Sequence, residues 1–214
     1  MLKMLSMAFA TSVLVVAAPV VAQTTTYNSN PTGGFQYGSG NNYTPANATV
    51  LTDGNDELAV RFHQYQQVAP ASVNGVYSFA LGTVVSYDFS IGGDTSGSSI
   101  QLTNLLTSQS VTYNPLCPIA GLCFLNDNTV TAGGDIQNSQ RLTFSQFSGL
   151  GFNANVNNTY RIDLSAGGNT VTSFAKLGAG VSAVPEPATW AMMLIGFGAI
   201  GAQIRRKRRT LAAA

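Results

Sequence analysis

Charge is scarce in this chain: only 9% of its residues are Asp, Glu, Lys or Arg, and the formal net charge is +1. The little charge present is unevenly spread. Five of the ten bases lie in the last ten residues, and Lys3 stands alone near the start. Between Gln23 and Val184, four bases (Arg61, Arg141, Arg161, Lys176) face eight acids (Asp53, Asp56, Glu57, Asp88, Asp94, Asp127, Asp135, Asp163), a balance of about −4. Such a middle carries no electrostatic footprint for nucleic acid. Histidine is nearly missing too. Any Ser-His-Asp or Cys-His arrangement must use His63, the single one. It falls on a predicted strand, on the polar side beside Arg61, and is expected to face solvent. No Gly-x-Ser-x-Gly elbow accompanies it. With one histidine and two cysteines, the sequence does not supply the ligands of a metal site. No cofactor is expected.

Helix formers are also sparse between the two ends. What fills residues 23–182 is Gly, Asn, Ser, Thr and β-branched side chains, a composition of strands and turns. Residues 23–47 show little periodicity and read as an irregular lead-in, with room for one short edge strand. Its aromatics Tyr27, Phe35, Tyr37 and Tyr43 are expected to be exposed, either capping the core or offering rings to sugars. Alternation begins further on. Leu58, Val60 and Phe62 share one side, with Arg61 and His63 on the other. Val85 to Ile91 alternates cleanly, as does Tyr160 to Leu164; Leu142 and Phe144 do so more weakly. Period two implies strands with one buried and one wet face. Turn signals separate the runs: Asp53-Gly54, Asn74-Gly75, Gly92-Gly93-Asp94, Gly133-Gly134-Asp135 and Ala166-Gly167-Gly168-Asn169. The expected fold is mainly β: one antiparallel β-sandwich, or a flattened barrel, over residues 48–182.

The acids offer little chemistry. Asp56 and Glu57 would face opposite sides of a strand, so they make no hydrolytic pair. Asp53-Gly54-Asn55-Asp56-Glu57 is rich in oxygen but lacks the spacing of a calcium loop, and reads as a solvated turn.

The two ends are apolar. Residues 1–22 read as a signal peptide: Lys3, an apolar stretch from Met7 to Ala18, then Val20-Val21-Ala22 before Gln23. Signal peptidase and the Sec translocon are the partners this predicts. At the other end stands Val184-Pro185-Glu186-Pro187-Ala188-Thr189-Trp190. An apolar run to Ile204 follows, then Arg205, Arg206, Lys207, Arg208 and Arg209. As a helix, Ala188 to Ile204 would span roughly 25 Å, the lower limit for crossing a hydrocarbon core. Trp190 would sit at one interface and the five bases on the cytoplasmic side. Gly196-Phe197-Gly198-Ala199-Ile200-Gly201 spells a dinucleotide fingerprint. With no preceding strand and only 13 residues after it, it reads instead as a small-residue face for helix packing, carried by Gly196, Gly198 and Gly201.

Pro185, Glu186, Pro187, Trp190, Ala191, Met192, Met193, the glycine-rich stretch and the terminal bases, in this order, resemble the PEP-CTERM sorting signal of Gram-negative bacteria. The match is to its Pro-Glu-Pro-x-x-Trp-Ala-Met-Met variety, over residues 183–209, with 210–214 as a tail. Such segments also carry the label "ice-binding protein C-terminal" domain, which describes the tail and implies no ice binding. The resemblance implies a substrate of exosortase, a membrane transpeptidase that recognises the Pro-Glu-Pro motif. It also implies release to the cell surface or matrix, and a setting of exopolysaccharide and biofilm. In an exported chain, Cys117 and Cys123 are expected to form a local disulfide.

Two classes of function follow. One is a non-enzymatic structural or adhesive module sorted by its tail. The other is an exported polysaccharide hydrolase, disfavoured by the scarcity of acids and histidine. A plain single-pass anchored protein is the bland alternative to tail processing.

Overall fold

The computed structural model describes residues 23–116 and 129–180. The predicted signal peptide, the sorting segment with its small-residue face and bases, and both cysteines lie outside the described residues. No helix among the described residues is long and apolar enough to cross a membrane.

Among the described residues, eleven strands form two sheets packed face to face. The first sheet contains β1 (Thr24–Ser29), β2 (Ala48–Asp53), β3 (Asp56–Gln64), β5 (Val85–Gly92), β8 (Thr129–Val130) and β9 (Ile136–Arg141), in the order β1-β2-β3-β5-β9-β8. The second contains β4 (Val76–Phe79), β6 (Ser99–Asn104), β7 (Ser110–Tyr113), β10 (Asn158–Ala166) and β11 (Asn169–Leu177), in the order β4-β11-β10-β6-β7. This is the expected sandwich, with one exception to the antiparallel rule. β4 runs parallel to β11, Val76 beside Phe174. The turn at Asn74-Gly75, with φ 51° and 78°, sends the chain along the free edge of β11 in that direction. A two-residue loop with two positive φ angles is the tight hairpin that Asn-Gly favours.

The other turn signals also land in loops. Gly54-Asn55 joins Asp53 to Asp56, and Gly167-Gly168 joins Ala166 to Asn169. Leu142 and Phe144 are not on a strand. β9 ends at Arg141, and Phe144 N–H donates to the Arg141 carbonyl to start a tight turn that runs into a 3-10 helix (Ser145–Leu150). The apolar residues there plug the open edge of the core, where Phe147 and Leu150 are buried.

Between the sheets, Leu58, Val60 and Phe62 of β3 meet Tyr87, Phe89 and Ile91 of β5, Ile100 and Leu102 of β6, and Tyr160, Ile162 and Leu164 of β10. Phe62 packs edge-on to both Tyr77 and Tyr87, with centroids at 6.1 and 6.4 Å. Such contacts add about 0.5–1.5 kcal/mol each beyond burial. The Tyr87 and Tyr113 hydroxyls touch within this core. Burial pushes the Tyr87 hydroxyl well above its ordinary range, and Tyr113 likewise.

The strand directions define two ends. At the hairpin end lie the loops 53–56, 93–98, 131–135 and 166–169. At the exit end lie the loops 80–84, 105–109 and 142–157, together with Gly180.

Candidate functional site: a polar face beneath a strap

The outer face of the first sheet was expected to be wet. Instead it is covered. Every residue of β5 is buried, Ser86, Asp88 and Ser90 included, and so are Arg61 and His63 of β3. The cover is residues 30–47, which fold back over β3, β5 and β9 as a strap. The lead-in is therefore a part of the sandwich, with β1 as its edge strand. Phe35, expected to be exposed, is 1% exposed and forms a small second core with Ala48, Val50 and Ala59. Tyr27 and Tyr43 do face solvent, and Tyr37 is half-buried.

The strap lies close because it is rich in glycine. Gly38 has φ 101°, and a Cβ there would stand 2.2 Å from the Ser139 backbone nitrogen. Hydrogen bonds then fix it along its length. Thr32 donates its N–H and hydroxyl to the Glu57 carboxylate at 2.7 and 2.9 Å. Gln36 N–H donates to Gln137 Oε1 at 2.8 Å, and Gln137 Nε2 donates back to the Gly34 carbonyl at 2.5 Å. Gln66 N–H donates to the Gly40 carbonyl at 3.2 Å.

Arg61 is the centre of this layer. Its Nε donates to Asp88 Oδ2 at 2.6 Å and its Nη2 to Asn41 Oδ1 at 2.8 Å. Nη1 donates to the Thr44 and Ala46 carbonyls at 2.6 and 3.0 Å. The guanidinium also stacks on Phe35, its Cζ 4.2 Å from the ring centroid. One buried cation thus ties three strap residues and an aromatic lid to the sheet. A planar fork of donors suits this; a point charge would not.

Asp88 balances it. Its second oxygen, Oδ1, accepts from His63 Nε2 at 2.9 Å. His63 Nδ1 lies 2.7 Å from the Gln64 carbonyl oxygen. Both ring nitrogens face oxygen acceptors, an arrangement that only a ring with two N–H groups satisfies in full. Burial by itself would raise the Asp88 carboxyl. The facing His63 and Arg61 outweigh it and hold the group below the usual carboxylate range.

Asp88, His63 and a serine do meet, since Ser139 Oγ is 3.5 Å from His63 Nε2. The arrangement is not a nucleophilic triad. A triad places the carboxylate on one ring nitrogen and the hydroxyl on the other. Here both sit on Nε2, and a backbone carbonyl occupies the other side. His63 and Asp88 are each 0% exposed. The expectation of a solvent-facing histidine is corrected: the strap takes the place of water on that side of β3.

Three of the other acids bond to near neighbours. Asp56 accepts from Asp94 N–H at 2.8 Å. Asp94 accepts from the Ser96 N–H and hydroxyl, which lower its carboxyl. Asp163 accepts from Arg161 and Thr172, both at 2.6 Å. Among the described residues no group of three or more His, Cys, Asp or Glu gathers as metal ligands do.

The described residues define a class by fold, a β-sandwich domain, and a further segment of sequence follows it. Residues 183–209 match the family model of the PEP-CTERM protein-sorting motif. The chain carries this sorting motif at its C-terminal end, and the motif implies an exported protein with an exosortase as its processing partner, anchored at the membrane before processing. No curated protein and no solved structure matches it. The sorting residues Pro185, Glu186, Pro187 and Trp190 all lie within the matched segment.

Proposed function

We propose that the strapped sandwich is a non-enzymatic structural or adhesive module of the cell surface or its exopolysaccharide matrix. In this reading a Gram-negative cell exports it after signal-peptide removal. The tail stays in the inner membrane, with Arg205 to Arg209 in the cytoplasm, until exosortase acts near Pro185-Glu186-Pro187. The observation that carries the reading is the sorting motif at residues 183–209 behind a compact β domain. The buried His63–Asp88 pair supports the non-enzymatic part, because the chain's single histidine is engaged by Asp88 and the Gln64 carbonyl beneath the strap.

Mass spectrometry of the mature protein, from cells with and without an exosortase, tests the sorting half. A mature species ending near residue 187 only when exosortase is present is the expected result. The same species in both strains would refute it. Replacing each of the seven described acids in turn and assaying turnover of host exopolysaccharide tests the other half. One substitution that abolished a measurable activity, with the fold intact, would make the protein a hydrolase.

A further inference from the structure

The charges of the domain are segregated along the strands. Asp53, Asp56, Glu57, Asp94 and Asp135 all sit at the hairpin end. Register puts Asp53 opposite Asp56 and Glu57 opposite Gly92. The Asp94 N–H bonds to Asp56, and a Cβ on Gly92 would stand 2.7 Å from Asp135 Oδ1. No described base lies there. The four described bases are on the other half: Arg61 in the buried layer, Arg141 opposite Ser86 at the start of β5, Arg161 opposite Thr103, and Lys176 opposite Thr159. Asp88 and Asp163 share that half, paired with Arg61 and Arg161.

At the exit end three large apolar side chains reach water. Leu81 is 48% exposed, Leu106 51% and Val156 39%. Their loops are bonded to one another and to the strand from which the chain leaves. Gly82 N–H donates to the Ala154 carbonyl at 2.8 Å, and Leu106 N–H donates to Asn158 Oδ1 at 3.2 Å. Ala179 N–H donates to Asn157 Oδ1 at 2.9 Å, and a Cβ on Gly178 would stand 3.0 Å from Leu81. The three side chains therefore sit on loops tied to the strands beside the point of exit.

We propose that, while the tail holds the protein in the membrane, this exit end rests on the bilayer surface. Leu81, Leu106 and Val156 enter the headgroup zone, with the half that carries Arg141 and Lys176 toward anionic headgroups and the five hairpin-end carboxylates pointing away. The proposal rests on the anchored state that the sorting motif implies. The tether is short. Seven residues, 181–187, separate Gly180 from the apolar run, a reach of about 25 Å at most. The nine-residue strands put the acidic end roughly 30 Å beyond the exit end. An apolar patch ringed by polar loops marks an interaction surface, and side chains of this kind settle at a lipid interface. An anionic surface repels the hairpin end and attracts the other.

The test is photolabelling of the full chain in vesicles of phosphatidylcholine with phosphatidylglycerol, using a phospholipid that carries a headgroup-proximal diazirine. Label is expected on peptides containing 80–84, 105–109 and 153–157, and on 188–204, and not on 53–56 or 166–169. Replacing Leu81, Leu106 and Val156 together by serine should remove the loop label and leave that on 188–204. Label on 188–204 but on none of the three loops would overturn the proposal with the anchor intact. Absence of label on 188–204 would instead overturn the anchored state, and this proposal with it. Crosslinks between copies through the same loops, in place of lipid label, would assign the patch to a second chain and also overturn it.

Discussion

Replacing Arg61 by methionine should detach the strap. The side chain is 1% exposed and makes four hydrogen bonds, so methionine fills much of its volume but none of its donor positions. Two losses follow. Asp88 is left as a buried carboxylate without its guanidinium partner, and breaking a buried pair in this way costs about 3–5 kcal/mol. The Thr44 and Ala46 carbonyls and Asn41 Oδ1 lose a donor, at about 1–3 kcal/mol for each group that stays buried. These costs do not simply add, because the strap can lift and let water reach the orphaned groups. The expected loss in the domain of residues 23–180 is therefore about 3–5 kcal/mol, limited by strap release. For a domain of this size that lowers Tm by roughly 6–20 °C. Urea denaturation reads the free energy, and hydrogen exchange reads where it is lost. The amides of Gly34, Gln36 and Asn41 should exchange far faster, while those of β10 and β11 change only as global stability does. Adding Asp88→Asn should restore part of the loss, since the unpaired charge is then gone. A cost below about 1 kcal/mol, or unchanged exchange in the strap, would refute the role given to Arg61.

Other outcomes follow from the same geometry. Because the Asp88 carboxyl is depressed in the fold, it contributes stability above the ordinary Asp value of about 3.9 and loses it as pH falls through its lower folded value. Acid should thus release the strap only below about pH 4, and Asp88→Asn should flatten that limb of a stability–pH curve. Tyr77 is pushed up to about 12 by burial, so its contribution persists through pH 10 and is lost as pH approaches 12. An alkaline absorbance titration should show Tyr77, Tyr87 and Tyr113 ionising late and together with unfolding. Gly38→Ala puts a methyl into the Ser139 backbone at a positive φ, and should cost about 1–3 kcal/mol with faster exchange confined to the strap. In the tail, Gly196, Gly198 and Gly201 changed together to leucine should impair processing by exosortase without preventing membrane insertion. Glu186→Gln should slow processing as well; both are read by immunoblot of precursor and mature forms.

How far the sequence revealed this depended on what each segment touches. β3, β5 and β10 were legible because one side of each meets the opposite sheet, and period two records that contact directly. The hairpins at Asp53-Gly54, Asn74-Gly75 and Ala166–Asn169 were legible because their backbone conformations need those residues. The sorting signal was legible because its order is linear. The polar layer was not. Alternation records polarity, and Ser86, Asp88 and Ser90 look the same whether water or the backbone of another segment covers them. The strap has no periodicity, so its contacts leave no pattern of their own. A signal did exist: Arg61, His63 and Asp88 are ionisable side chains at strand positions in a middle with few charges. The glycines at 33, 34, 38 and 40 are what a segment lying flat on a sheet requires. β9 was missed for a related reason. Its Gln137 and Ser139 serve the strap, so it reads as polar throughout.

The strap also constrains the order of events in export. Gln36 is 101 residues from its partner Gln137, and Gln23 donates to Asn169 across 146. A polypeptide threaded amino end first delivers these segments to the far side of the membrane long before their seats exist. Residues 30–47 can close only after β9 has emerged, so the clasp that seals the sandwich is among the last pieces set in place, although it is among the first to arrive.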